Sequence, residues 1–225
     1  EAGVPQNAFP ALKLQPSEVT LVHHALVPAT GGNGRPDLKP DPDLIDHGAA
    51  TPAVPGLWTL VGVKYTTARK AAESAITRIA AKAGRSMRGC QTARTVLPTA
   101  EIADVEAILL ESARAAGIAE SLSPAAVRHL ASWYGSGTAP VVAIMAERPE
   151  WRDPLMAGSE VTGAEIAHAA RHESALRLRD AVLRRTMLGS AGRPDAEAID
   201  KAGAIMAGIH GWDAERVAPE KLLLG

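Results

Sequence analysis

The run Val61-Gly62-Val63-Lys64-Tyr65-Thr66-Thr67-Ala68-Arg69 holds the densest chemistry in this 225-residue chain. Apolar β-formers lead into a glycine, then a lysine, then two threonines at the head of an alanine-rich stretch. That order predicts a strand, a tight turn and a helix N-terminus. A helix start presents unpaired N–H groups and a partial positive charge, which suit an anionic ligand atom. Lys64 beside it can hold an anionic substrate or steady developing charge. An ordinary strand-to-helix turn with a solvated lysine has the same spacing, and on spacing alone it is the simpler reading. His23-His24 is the second feature of interest. Adjacent strand residues face opposite sides, so one of the two turns inward. The inward ring is either a proton acceptor in a site or a hydrogen-bonded core histidine. His168 and His172 have metal-ligand spacing on a helix, but no third ligand in a His-Glu-x-x-His pattern accompanies them, so no metal is expected.

The elements that must position these residues differ along the chain. Residues 1 to about 60 hold Pro5, Pro10, Pro16, Pro28, Pro36, Pro40, Pro42, Pro52 and Pro55, which excludes long helices. Strands are predicted over Val19–Val27 and Leu57–Val63, with a loop at Gly31-Gly32-Asn33-Gly34-Arg35-Pro36. A helix capped by Thr66 or Thr67 is predicted from Ala68 to about Ala83, burying Ala72, Ala75, Ile76, Ile79 and Ala83 and ending at Gly84. Further helices are expected from Thr99 to about Ala116, from Ser123-Pro124 to Tyr134, and over Pro140–Glu147. The capping box Thr162-Gly163-Ala164-Glu165 opens a long helix to about Leu188. A last helix covers about Asp195 to Ile209, with a tail after Trp212. Asp180 with Arg184, and Glu173 with Arg177, are spaced to pair on that long helix. Trp133, Trp151 and Trp212 read as helix-packing anchors.

Composition bounds the rest. Hydrophobic residues make up 46%, aromatics only 3%, and the net charge is −1. Small aliphatic side chains suit closely approaching helices. Nothing in the bulk charge points to nucleic acid or to a membrane surface. Cys90 is the single cysteine; it reads as a spectator thiol in a reduced, cytosolic protein. No apolar run is long enough to span a bilayer, and the start at Glu1 is what a segment of a longer chain would show.

The Lys64 segment resembles the G-G-K-x-T-T-x-R stretch of FAD-dependent glycerol-3-phosphate dehydrogenases. Gly62, Lys64, Thr66, Thr67 and Arg69 match, Ala72-Glu73 follows at the usual place, and Val63 replaces the second glycine. Tyr134-Gly135 resembles the family's Y-G pair. Glu165, Arg171-His172-Glu173 and the run Asp180 to Thr186 resemble its E-A-E … R-x-E … D-x-L-x-R-R-T pattern, and Gly211-Trp212 fits near the end. These landmarks run in order over about residues 17–216.

The resemblance implies the C-terminal part of an FAD enzyme, with most of the cofactor held by an N-terminal half outside this chain. The implied fold is α+β, mainly α. Residues 1–94 would be a remnant of the FAD/substrate domain, short strands plus one helix, and residues 95–225 an all-helical C-terminal domain. Gly62, Val63, Lys64, Tyr65, Thr66 and Thr67 would close over the flavin, and Lys64, His23 and His24 are the catalytic candidates. Implied partners are the N-terminal half, a small-molecule substrate and an electron acceptor such as a quinone, with no nucleic acid. The implied place is the cytoplasm, including the inner membrane face. A carbinol hydride would pass to flavin as a base takes the hydroxyl proton. No G-x-G-x-x-G fingerprint occurs here, so this chain alone is expected to bind FAD weakly and not to turn over.

One departure matters. The family's G-x-R-P segment carries a substrate-phosphate arginine, and here the corresponding stretch is His23-His24-Ala25-Leu26-Val27-Pro28. Val27 cannot replace a bidentate guanidinium. Either the substrate is a related polyol, hydroxy acid or differently held phosphate ester, or His23, His24 or Arg35 supplies the charge. Two alternatives stand beside the enzyme reading: a helical interaction or stability module, including a homodimer contact, and a family member without catalysis.

Overall fold

A computed structural model describes residues 11, 13, 15–19, 22, 26–31, 37–39, 41–62, 64–100, 104–190 and 192–224. His23, His24, Arg35 and Val63 lie outside them. The architecture is α+β and mainly α, and the chain divides into two compact units, one over His23–Val96 and a mainly helical one that comprises Glu1–Val22 and Leu97–Gly225.

In the smaller unit, β1 (Ala29–Thr30) pairs antiparallel with β2 (Asp37–Leu38), and β3 (Asp43–Asp46) with β4 (Trp58–Val61). Asp43 lies opposite Val61 and Asp46 opposite Trp58. β4 is the strand expected before Lys64. The strand expected over Val19–Val27 is not found: Val19, Val22, Leu26 and Val27 are outside any strand and exposed, and the remainder falls outside the described residues. Helix α1 (Ala68–Lys82) ends as expected at left-handed Gly84 (φ +66°), with Arg85 N–H reaching Ala80 O at 2.9 Å. Its buried face is Ala71, Ala75 and Ala80, one step round from the expected stripe, so Ile76 is 52% exposed. The expected stripe, with Ile76 and Ile79, is the more hydrophobic, but the all-alanine stripe permits the closest approach. At the far end of α1, Lys82 pairs with Asp46 and lies 5.3 Å over the Trp58 ring, fastening the helix to the β3–β4 hairpin.

The helical unit holds the large core. Helix α2 (Val105–Ala115) starts later than expected, because Asp104 Oδ1 accepts Ala107 N–H at 2.9 Å while Thr99 sits in a turn at φ +71°. Helix α3 (Pro124–Tyr134) begins on Ser123, whose hydroxyl accepts Ala126 N–H at 3.0 Å. It stops at Gly135, where φ is +54° and a Cβ would lie 2.4 Å from Thr99 O; only glycine fits. Helices α4 (Ala139–Glu147) and α5 (Gly163–His172) follow.

The single helix expected to Leu188 is broken. Ser174 is left-handed (φ +56°), and Glu173 and Ala175 N–H both bond Ala169 O. This turn lets Ala175 and Leu178 enter the core. The chain resumes as the short α6 (Leu178–Asp180) and a π-helical turn over Ala181–Arg185. Helix α7 (Ala196–His210) is capped by Asp195. The expected tail after Trp212 is instead α8 (Ala214–Leu222), capped by Asp213 at 2.8 Å. α5 packs between α4 and α7, and its residues Gly163 to Ala170 are all buried. Trp151 and Trp212 pack against this core; Trp133, 45% exposed, does not.

Candidate functional site

The Lys64 turn is built as its residue types dictate. β4 delivers the backbone to Gly62, Lys64 stays extended (φ −128°, ψ 130°), and Tyr65–Thr67 form one 3-10 turn into α1. The expected threonine cap is replaced by a different bond. Thr67 Oγ1 donates to Lys64 O at 3.1 Å instead of accepting from the helix, and Thr67 N–H reaches the same oxygen at 3.3 Å. Ala68 N–H is taken by Tyr65 O. The donors left to meet a ligand are therefore narrowed to the amides ahead of Thr67.

Lys64 is exposed and has no ion-pair partner among the described residues. Tyr65 is 98% exposed. A depression of about 370 Å³ opens here, lined by Leu60, Gly62, Lys64, Tyr65, Thr67 and Ala68 among others. A Cβ on Gly62 would meet nothing within 4 Å, so the approach is clear on that side. An unpaired ammonium, an aromatic face and helix-start amides around an open depression fit a planar, anionic group. Val63, His23 and His24, also expected here, lie outside the described residues. Val27, standing where the resemblance would put arginine, is exposed.

The helical landmarks assemble elsewhere, in a buried polar cluster that the sequence did not reveal. Glu165 is fully buried at the start of α5. Its Oε2 accepts Thr162 N–H at 2.8 Å and Thr162 Oγ1–H at 3.1 Å; its Oε1 meets His129 Nε2 at 2.9 Å and accepts Tyr134 O–H at 3.4 Å. The Glu165 bond raises the His129 pKa against the effect of its burial. Burial, then the Glu165 charge, pushes the Tyr134 phenol far up, so it stays a donor.

Below this cluster, the His168 ring stands edge-on to Tyr134 at 5.3 Å and beside His172 at 5.0 Å. Burial, then the His172 charge, lowers its pKa to about 4. Its Nε2 is 3.8 Å from Glu173 Oε1, while Nδ1 and Glu173 Oε2 are buried without partners among the described residues. Burial raises the Glu173 carboxyl. The i,i+4 histidine rings lie side by side, tilted by 36°, and no group of three metal-ligating side chains occurs among the described residues. The expected Asp180–Arg184 pair forms. The Glu173–Arg177 pair does not, because the break at Ser174 takes them off a common helix. Arg177 Nε instead meets Glu220 Oε1 at 2.5 Å. Glu220, 1% exposed on α8, also accepts Leu178 N–H at 3.0 Å and pairs with Arg216 at 2.8 Å. No sequence spacing marked His129 or Glu220, because the His129–Glu165 and Arg177–Glu220 contacts cross 36 and 43 residues.

Comparison with known proteins adds the family. The model for the C-terminal domain of alpha-glycerophosphate oxidase matches residues 90–217. Glycerol-3-phosphate dehydrogenase 2 of Mycobacterium tuberculosis (strain ATCC 25618 / H37Rv) is 29% identical over 218 residues, covering 95% of this chain and 36% of that protein. Glycerol-3-phosphate dehydrogenase of Mycobacterium leprae (strain TN) is 28% identical over 216 residues, with the same coverage, 95% and 36%. That of Synechocystis sp. (strain ATCC 27184 / PCC 6803 / Kazusa) is 26% identical over 184 residues, covering 81% of this chain and 32% of that protein. The chain thus spans about a third of the length of the curated relatives it matches. With the landmarks from Tyr134-Gly135 to Gly211-Trp212 inside the matched segment, the chain belongs to the family of the C-terminal domain of alpha-glycerophosphate oxidase.

Proposed function

We propose that this chain is the C-terminal part of an FAD-dependent oxidoreductase that oxidises a polyol phosphate or related hydroxy compound. Residues 1–94 would complete its FAD/substrate domain and residues 95–225 form its helical C-terminal domain. The observation that carries the reading is Lys64. It is exposed without an ion partner among the described residues and sits where β4 turns into α1, at the rim of an open depression. The two mycobacterial relatives, named as glycerol-3-phosphate dehydrogenases, align across 95% of the chain, this turn included. Flavin, when bound, supplies the two-electron acceptor. This chain's residues do the rest. Lys64 offers a full positive charge to an anionic edge or to substrate, and the amides at Tyr65 and Thr66 add donors that need no reorganisation. Gly62 and Thr67 shape the approach, with the Thr67 hydroxyl pinning the Lys64 carbonyl. His23 and His24 remain the candidates for accepting the substrate proton. A quinone or similar acceptor and the N-terminal half are the partners this reading requires.

Two further observations support a larger domain around the turn. The β3–β4 sheet has two strands, and Ile45, Leu57 and Leu60 beside it are exposed. Such a hairpin gains stability from added strands or cover. For the helical unit we infer a supporting role, because Glu165, Asp180 and Arg184 spend their charges on partners within it.

The test uses the full-length enzyme. Purified protein should carry FAD, and glycerol-3-phosphate, other polyol phosphates or hydroxy acids should bleach it. Lys64→Ala should slow that reduction by about a hundredfold, the scale of losing one preorganised charge. Full-length protein without flavin, or Lys64→Ala reducing at the wild-type rate, would overturn the proposal.

A further inference from the structure

Arg69 closes the same motif as Lys64 but does not share its depression. It lines a separate groove of about 600 Å³ between α1 and the segment from Met87 to Thr92. Its Nη1 donates to Glu73 Oε2 at 3.0 Å, one turn along α1, and to Thr92 Oγ1 at 3.2 Å, 23 residues away in the chain. Thr92 Oγ1 lies in turn 3.0 Å from Cys90 Sγ. The Arg69 bond, then the charge of Lys70, holds the Glu73 carboxyl below its ordinary value, in keeping with a made contact.

The mechanical consequence follows from where the ties fall. Residues 86–96 form neither helix nor strand, and their backbone bonds to one another do not reach α1, so among the described residues side-chain bonds hold them to it. The far end of α1 is already fastened through Lys82 to Asp46 and Trp58. The near end continues into the 3-10 turn at Lys64, where no side chain caps the helix. An uncapped first turn frays unless something ties it laterally. Among the described residues, Arg69 is the first side chain of α1 to bond a residue distant in sequence.

We propose that Arg69 is a positioning residue, bridging Glu73 and Thr92 to fix the first turn of α1 and so the direction in which Lys64 and the adjoining amides face their ligand. This rests on the flavin reading given above. Geometry of that kind matters because a displacement of about 1 Å at a charged group is enough to degrade a preorganised site. A looser turn lets Lys64 drift, and the negative reduced cofactor loses stabilisation.

The experiment measures the flavin midpoint potential in the full-length, flavin-loaded enzyme. The variants are Arg69→Ala, Thr92→Val, the double variant and, as a control, Lys70→Ala. Thr92→Val keeps every charge and removes the distant acceptor of Arg69 together with its Cys90 contact; Lys70→Ala removes an equal charge one residue away. Arg69→Ala and Thr92→Val are each expected to lower the potential, the double variant no further than the lower single, and Lys70→Ala to leave it in place. Thr92→Val at the wild-type potential, with Arg69→Ala and Lys70→Ala shifted alike, would show a charge effect and overturn the proposal. So would Arg69→Ala and Thr92→Val both at the wild-type value while Lys64→Ala shifts. Wild-type protein that holds no flavin would remove the reading beneath it, a result distinct from either.

Discussion

Replacing Glu165 by alanine is the sharpest test of what the helical unit's charged landmarks do. The carboxylate is fully buried and engages Thr162 N–H, Thr162 Oγ1–H, His129 and Tyr134 O–H. A hydrogen bond to a charged group contributes about 1.5–3 kcal/mol, and removing one partner strands the other buried groups. The contributions do not add, since the four donors share one carboxylate. The His129 side chain, 16% exposed, recovers part of its loss from water. The outcome expected is about 3–5 kcal/mol, the range for breaking a buried pair. With a urea slope of about 2 kcal/mol per molar, the midpoint of the helical unit falls by about 2 M. Glu165→Gln keeps the shape and one acceptor and should cost about 1–2 kcal/mol. Urea titration followed by near-ultraviolet circular dichroism reads both. Glu165→Ala unfolding within 1 kcal/mol of wild type would mean that water, not Glu165, satisfies these donors.

The remaining predictions concern the same scaffold. The folded pKa of His168, about 4, lies below its ordinary 6.5, so the unfolded chain takes up the proton first. Its stabilising contribution is therefore complete above pH 6.5 and is lost as pH falls toward 4, by at most about 3 kcal/mol. Urea midpoints at pH 7, 5.5 and 4.5 should show this acid loss, and His168→Asn should flatten it. Glu220→Ala removes the partner of Arg177, Arg216 and Leu178 N–H, and should cost about 3 kcal/mol and expose α8 to limited proteolysis. Gly135→Ala puts a methyl group against Thr99 O in a backbone region reserved for glycine, and should lower the melting temperature by the equivalent of about 3 kcal/mol or more.

Local signals carried much of the fold. Ser123-Pro124 and the Thr162–Glu165 box marked the starts of α3 and α5 to the residue, because capping is decided within four positions. Gly84 and Gly117 marked helix ends for the same reason. Failures came where tertiary demands outweigh local preference. Nothing between His172 and Leu178 breaks a helix by residue type, yet Ser174 turns left-handed so that Ala175 and Leu178 reach the core. The stretch expected as a tail after Trp212 contains Pro219, yet Asp213 caps a helix that runs through it. At the candidate site, the order strand, glycine, lysine, threonines placed β4, the turn and α1 correctly. The bridge from Arg69 to Thr92 was illegible, since spacing says nothing about which loop a helix will meet.

What faces the Lys64 turn decides whether this chain serves a flavin. Hydrogen exchange of the full-length enzyme, compared with and without its flavin, measures this at peptide level. Peptides covering residues 62–71 should exchange more slowly in the flavin-loaded form, with protection lost in Lys64→Ala. Equal exchange of those peptides in both forms, with protection only elsewhere in the enzyme, would contradict the account.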